Sequence, residues 1–228
     1  MTSTSLRSSS RTAQLGKASI RWTSRADGDL GTTADADVAR RRTAVHPGPW
    51  AWLHQVHGTT VHVVDRPGGV RGADGDALVT ATPGVALAIF TADCAPVALS
   101  SDEGVVAVAH AGWRGLEAGV LEATVETMRS LGATRVEAVL GPCIRPGCYE
   151  FGECDLDRLS TVLSSSIRAH TATGRPAFDL PAAVAVCLAR VGVEQVADQG
   201  ACTACDEQWF SYRARAESGR QATLLVAG

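Results

Sequence analysis

The sequence predicts a single α/β domain with mixed β-sheets, and three observations carry that prediction. Strand-length apolar runs crowd the first half of the chain, at 60–64, 77–79, 85–90, 96–99 and 105–109. Most lack a polar alternate face, the pattern of strands covered on both sides. From about residue 115 the apolar period lengthens to that of a helix, with further strands interleaved. The 228 residues, 45% of them hydrophobic, suffice for one sizeable core but not for two ordinary domains.

Residues 1–15 read as a disordered Ser/Thr-rich tail and 16–228 as the folded domain. Arg7, Arg11, Lys17, Arg21 and Arg25 precede the first acid, Asp27, without the apolar stretch of a secretory signal. A short helix is expected at 34–42. The strand at 60–64 is stopped by Pro67-Gly68-Gly69, and those at 96–99 and 105–109 form a hairpin across the polar turn SSDEG. Leu116, Val120, Leu121, Val125 and Met128 mark one stripe of a helix over 115–131, closed by Gly132. A strand at 136–140 leads into a Gly/Pro loop at 141–147. Helices at 156–167 and 182–191 and extended segments at 193–196 and 222–226 complete the pattern, with connections too irregular for a simple doubly wound order.

Composition excludes several functions. Lys+Arg number 21 against 24 Asp+Glu, a net charge of −3, and no basic block is interleaved with aromatics, so no nucleic-acid partner is expected. The most apolar stretch, 84–99, is interrupted by Asp93 and Cys94. A membrane span needs roughly 20 apolar residues, so none is expected. Lys17 is the only lysine, which removes a GK[ST] phosphate loop and a core Schiff-base lysine. Seven scattered cysteines, an odd number, suit a reducing compartment, and a cytoplasmic location is expected.

The hairpin ends carry the chemistry. With its turn centred near Asp102, antiparallel pairing sets Cys94 opposite His110 or Ala111, and opposed Cβ atoms lie about 4.5–5.5 Å apart. A thiol and an imidazole at that distance can share a metal ion or act as a pair. Burial of an inert cysteine beside a hydrogen-bonded histidine is the competing reading. A further imidazole, from His54 or His57 in LHQVHG, stands at another loop–strand junction. Two ring nitrogens and one thiolate suit Zn²⁺, with copper as the competing ion, and three protein ligands leave the fourth position that catalytic zinc keeps open. Without a metal, Cys94 can act as a nucleophile with His110 as its base and Asp93 as an orienter.

The blocks QVHG (55–58), DALVT (76–80), TADCAPV (91–97), HAGWRG (110–115), GPCI (141–144), CYEFG (148–152), Cys202-Thr203, FSYR (210–213) and Gly219-Arg220 occur in this order. In them the chain resembles the bacterial multicopper polyphenol oxidase (laccase-domain) proteins, also described as purine nucleoside phosphorylases and as peptidoglycan editing factors. The resemblance implies a four-layer α/β/β/α sandwich with His57, Cys94 and His110 as zinc ligands. It also implies phosphorolysis of adenosine, inosine, guanosine or methylthioadenosine and hydrolytic deamination of adenosine, so purine nucleosides and phosphate are the expected partners. The family's Asn-Leu stands here as Asp179-Leu180, and its N-terminal Asn-containing segment is largely missing.

Arg114, four residues after His110, has the planar guanidinium of a phosphate clamp, with Arg213 a weaker candidate. Six histidines are too few for a blue-copper plus trinuclear centre, although copper can compete for the three-ligand site and confer polyphenol oxidation. A peptidoglycan-precursor editing hydrolase built on Cys94 and His110 is the alternative enzyme. His54 is expected at the rim and His62 within a strand. Cys202 and Cys205 have C-x-x-C spacing but no thioredoxin-like context, while Cys143 and Cys148 sit in a loop that borders the pocket. Trp113, Tyr149 and Phe210 can stack on a purine or plug the core.

Overall fold

The structure, a computed structural model, describes residues 11–31 and 35–228. The chain opens with β1 (Thr12–Leu15) and β2 (Ala18–Trp22), then α1 (Ala36–Val45), β3 (Trp50–His54), β4 (Val61–Val63) and β5 (Arg71–Asp74). Four strands follow: β6 (Ala77–Thr80), β7 (Ala86–Thr91), β8 (Ala95–Ser101) and β9 (Val106–Ala111). Next come α2 (Trp113–Ala118), α3 (Val120–Ser130), β10 (Val136–Leu140) and α4 (Glu153–Val162). The short pair β11 (Arg168–His170) and β12 (Pro176–Phe178) precedes α5 (Leu180–Arg190), β13 (Glu194–Asp198), α6 (Tyr212–Arg215) and β14 (Gln221–Val226).

Two six-stranded mixed sheets result, ordered β1-β2-β14-β7-β3-β5 and β13-β10-β8-β9-β6-β4. The parallel neighbours are β3–β5 and β3–β7 in the first sheet and β10–β13 and β4–β6 in the second. The middle strands β7, β8 and β9 are buried at every residue, because each sheet is covered on both faces. Leu53, Leu87, Ile89 and Leu225 of the first sheet pack against Leu78, Ala98, Val106 and Val108 of the second. The other face of the second sheet packs on α2, α3, α4 and α5 through Leu116, Leu121, Val125, Leu159 and Val184.

The outer face of the first sheet has a thinner cover. Trp50, Ala86, Ala88, Phe90 and Leu224 meet Leu30 and the edge of α1. There the Arg42 guanidinium lies 4.8 Å from the Trp52 ring and 4.7 Å from the Phe90 ring, and it donates to the carbonyls of Leu30 and Gly31. Helix, sheet, sheet, helix is therefore the layer order that the resemblance implied. Among the described residues no helix is long and apolar enough to cross a membrane.

Several expectations need correction. Thr12–Leu15, placed within the tail, pair with β2 as an edge strand, whereas residues 1–10 lie outside the described residues. The helix expected over 115–131 is two helices meeting at Gly119, whose φ of +95° ends α2 and starts α3. That left-handed turn re-aims the chain without moving its apolar stripe off the sheet. The helix expected to reach 167 ends at Val162 and is followed by a 3₁₀ turn at Ser165–Ile167. Asp179 is the N-cap of α5, its carboxylate accepting from the Ala182 amide 3.0 Å away.

Candidate metal centre and active site

Hairpin β8–β9 has a different register from the expected one. Ala95 pairs with Ala111 and Pro96 with His110, because the loop is centred on Glu103, one residue beyond Asp102. Cys94 therefore lies one step beyond the last pair, on the side of Gly112 and diagonal to His110. The approach still works because residue 112 has no side chain. A Cβ there would stand 3.1 Å from Cys94 Sγ and 2.9 Å from His57 Cδ2.

The third candidate ligand comes from the loop between β3 and β4. His57 takes a left-handed backbone, φ +60°, which turns its ring back over the hairpin end. Its Nε2 lies 3.8 Å from Cys94 Sγ, and its ring meets that of His110 edge to face with centroids 4.8 Å apart. One ligand atom from each of His57, Cys94 and His110 lies within 4.8 Å of the others. His110 is buried, Cys94 half-buried and His57 exposed, so the cluster opens to solvent on one side.

Asp76, immediately before β6 and 0% exposed, organises this cluster. Its Oδ1 lies 2.8 Å from His110 Nδ1 and accepts the His57 amide at 3.0 Å; its Oδ2 accepts the Gly58 amide at 2.7 Å. Burial opposes ionisation of Asp76, but the His110 hydrogen bond and the Gly58 and His57 amides outweigh it and hold the carboxyl below its ordinary range. His110 Nδ1 is thereby committed to Asp76 and its Nε2 is left as a metal donor, the carboxylate–histidine arrangement of zinc sites. The donor set fits a zinc ion, with room on the solvent side for a fourth ligand.

Without a metal, these groups form a thiolate–imidazolium pair. Burial raises the Cys94 thiol, but His110 and His57 overcome it and bring it down to about 6. Burial likewise disfavours a charged His110, yet Cys94 and Asp76 carry it up to about 9.

Asp93 does not orient His110. Its φ of +98° turns the carboxylate the other way, where it accepts from Thr203 Oγ1, Ser211 Oγ and the Arg213 amide, each at 2.7 Å. A strained backbone beside Cys94 is thus held by three hydrogen bonds from the C-terminal segment. Gln55 also works structurally: its side-chain amide exchanges two hydrogen bonds with the Phe90 backbone, pinning the His57 loop to β7.

Arg114 is exposed on α2, its guanidinium 4.1 Å from the Trp113 ring. Arg213 lies 4.9 Å over the Tyr149 ring and donates to the Glu150 carbonyl. Burial pushes the Tyr149 phenol up, Cys94 pushes the same way, and Arg213 and Arg114 oppose it, so that hydroxyl is within electrostatic reach of the thiolate and both arginines. Beside this group is a cleft of about 600 Å³ with Glu150, Phe151, Arg175 and Arg213 in its wall. Tyr149 and Phe210 are core plugs, 8% and 9% exposed, rather than open stacking platforms; Trp113 is half-buried.

His54 pairs with Asp74 at 2.7 Å and His62 Nε2 meets the Asp74 carbonyl, both away from the cluster. Sequence reasoning missed the roles of Asp76 and Gly112. The signal for Asp76 was an acid directly preceding the apolar run Ala77-Leu78-Val79.

Fold and site define an α/β protein of two packed mixed sheets with a cluster of two histidines and a cysteine, able to hold a metal, at one sheet end. The chain belongs to the multi-copper polyphenol oxidoreductase laccase family, whose model matches residues 23–228. It is 42% identical over 194 residues to a purine nucleoside phosphorylase of Streptomyces coelicolor, covering 83% of this chain and 80% of that one. A purine nucleoside phosphorylase of Mycobacterium bovis is 40% identical over 203 residues, covering 87% and 81%. Among solved structures, a Neisseria meningitidis protein superposes with a TM-score of 0.82 at 32% identity, covering 95% of this chain and 98% of that one. A Bacillus licheniformis protein at 22% identity, TM-score 0.81, covering 97% and 98%, shares the fold.

Proposed function

We propose that this protein is a zinc-dependent purine nucleoside phosphorylase that also deaminates adenosine, with His57, Cys94 and His110 holding the metal. The observation that carries the metal assignment is the double grip of Asp76 on His110 Nδ1 and on the amides of the His57 loop. A buried carboxylate so placed sets two ligands at once. The names of the curated relatives support nucleoside and phosphate as substrates.

When bound, zinc would supply Lewis acidity that makes water acidic near neutral pH. The chain's own residues do the rest. In phosphorolysis a phosphate oxygen bonds to ribose C1′ as the bond from C1′ to the purine nitrogen breaks, and the purine leaves with a proton. Arg114 and Arg213 hold the phosphate by charge-assisted hydrogen bonds, and the adjacent cleft, of ordinary ligand-site volume, takes the nucleoside. In deamination water adds at adenine C6 and ammonia departs. Adenosine, inosine, guanosine and methylthioadenosine all present the purine and ribose this reading requires.

The test incubates purified protein with adenosine, with and without phosphate, and separates the products by chromatography. Adenine formed only with phosphate and inosine formed without it are the expected outcomes. No product from any of the four nucleosides would overturn the reading. Metal analysis distinguishes zinc from copper, for which the same donor set is suitable.

A second reading rests on the Asp76–His110–Cys94 alignment, which in metal-free protein has the order of a cysteine hydrolase: orienter, base, nucleophile. Such an enzyme would remove an amino acid from a peptidoglycan precursor by attack of Cys94 on its amide. A thioester trapped on Cys94 in chelated, still active protein would select it; activity that requires zinc would reject it.

A further inference from the structure

A second cluster of ligating atoms lies outside the site described above. Cys148 ends the 3₁₀ turn Pro146–Cys148, while Cys202 and Cys205 come from the C-x-x-C turn after β13. The three sulfurs lie within 4.8 Å of one another. Three thiolates bound to one zinc at about 2.3 Å stand roughly 3.8 Å apart, so only a small contraction separates the observed spacing from a coordinated one.

The surroundings prepare these sulfurs for a cation. The Arg145 amide donates to Cys202 Sγ at 3.4 Å, and the amides of Ala204 and Cys205 point at the same sulfur. Backbone N–H groups converging on one sulfur stabilise a thiolate and fix its direction, as outer hydrogen bonds do in metal sites. Two arginines clamp the turn. Arg145 binds Asp198 through both terminal nitrogens and reaches the Ala201 carbonyl; Arg215 donates to the carbonyls of Thr203 and Ala204. Arg145 is paired with Asp198 and Arg215 with Glu217, so these arginines fix the shape of the turn that presents the sulfurs. Cys205 is exposed and Cys148 lines the 600 Å³ cleft, so an ion and a solvent ligand both have access. The nearby Cys143 is fully buried and its sulfur lies outside the cluster.

We propose that Cys148, Cys202 and Cys205 form a second metal site, a three-thiolate centre for a thiophilic d¹⁰ cation, either Zn²⁺ completed by one solvent ligand or trigonal Cu⁺. Binding releases the thiol protons to solvent and requires no oxidant. The site is independent of the His57/Cys94/His110 centre and does not rest on the nucleoside reading.

The test titrates metal-stripped, fully reduced protein anaerobically with Co²⁺, as the spectroscopic substitute for zinc, and separately with Cu⁺. Two equivalents of at least one ion are expected, the second with strong thiolate-to-metal charge transfer. Cys202→Ser and Cys205→Ser should each lose one equivalent and keep the other. Cys94→Ala should show the reverse, keeping the thiolate-rich equivalent. Cys205 is exposed, so its replacement leaves the core intact. No more than a single equivalent with both ions in the unsubstituted chain, or a second that survives Cys202→Ser, would overturn the proposal. So would a Cys202–Cys205 disulfide that forms on removal of reductant in the presence of equimolar Zn²⁺, which would mark a redox pair instead.

Discussion

Asp76 Oδ1 lies 2.8 Å from His110 Nδ1, with the carboxylate wholly buried and the imidazole nearly so. Asp76 immediately precedes β6 and His110 lies near the end of β9, the strand paired with it, and the His110 amide also donates to the Asp76 carbonyl at 2.7 Å. Side chain and backbone of one residue thus fix both the position and the tautomer of a ligand, while the same carboxylate holds the loop that carries another.

Replacing that carboxylate should weaken the metal without removing any ligand. Asp76→Asn is expected to lower zinc affinity about 10- to 100-fold, the usual effect of losing an outer-shell partner. Competition with a chromogenic chelator measures it. An unchanged dissociation constant would mean that His110 is oriented by something else.

Gly112→Ala should empty the centre while leaving the fold in place. The added methyl would sit 2.9 Å from His57 Cδ2, closer than real Cβ atoms come, and a tight 3.1 Å from Cys94 Sγ. Metal analysis and circular dichroism together check this: native spectrum, no ion in the His57/Cys94/His110 set. Full occupancy there would show that the His57 loop yields easily.

Cysteine alkylation in metal-stripped protein should separate three classes. Cys94 is expected to react with a midpoint near pH 6, fast above it as the thiolate and slow below it as the thiol, and to be protected by added zinc. Cys154, exposed, should label without protection by added zinc. Burial, with Glu122 adding to it, pushes Cys187 up to about 12, so it should stay unlabelled up to pH 9 in the native state. Mass spectrometry of peptides after a pH series reads all three, and an ordinary midpoint for Cys94 would remove the thiolate–imidazolium pair.

Arg114→Ala should raise the KM for phosphate and leave zinc content unchanged, because the side chain lies outside the ligand set, on the Trp113 face. Cys94→Ala should lose zinc from this centre and activity together. If Arg114→Ala leaves the phosphate KM untouched, Arg213 is the remaining guanidinium beside the Tyr149 phenol.

Arg42→Ala tests the thin layer. The guanidinium covers Trp52 and Phe90 and satisfies two carbonyls. Loss of a partly desolvated cation–π contact and its hydrogen bonds should cost about 2 kcal/mol. Denaturant unfolding measures it, and a change within error would assign the cover to Leu30 and α1 alone.

What the residues disclosed follows the strength of their patterns. Long apolar strands such as β7, β8 and β9 announce themselves because both faces are buried. β5, with the sequence RGAD, has no apolar signature and is a strand only because β3 offers it a parallel partner. β1 was hidden for a similar reason, an edge strand whose Thr12 and Gln14 are exposed and which puts only Ala13 and Leu15 against the core. The hairpin was legible but its register was not, since a polar turn can be centred on Asp102 or Glu103 with no change in composition.

By itself the sequence determined the α/β class, the burial of the central strands and the residue types gathered at their ends, through apolar periodicity and the chemistry of thiol and imidazole. Tertiary structure alone decided how His57, already singled out by the QVHG block, reaches the hairpin, that Asp76 rather than Asp93 faces His110, and that Cys148 joins Cys202 and Cys205. Each of these depends on backbone direction at a few residues, two of them in left-handed conformations, and on contacts between segments far apart in the chain. Local residue patterns carry no record of such distances.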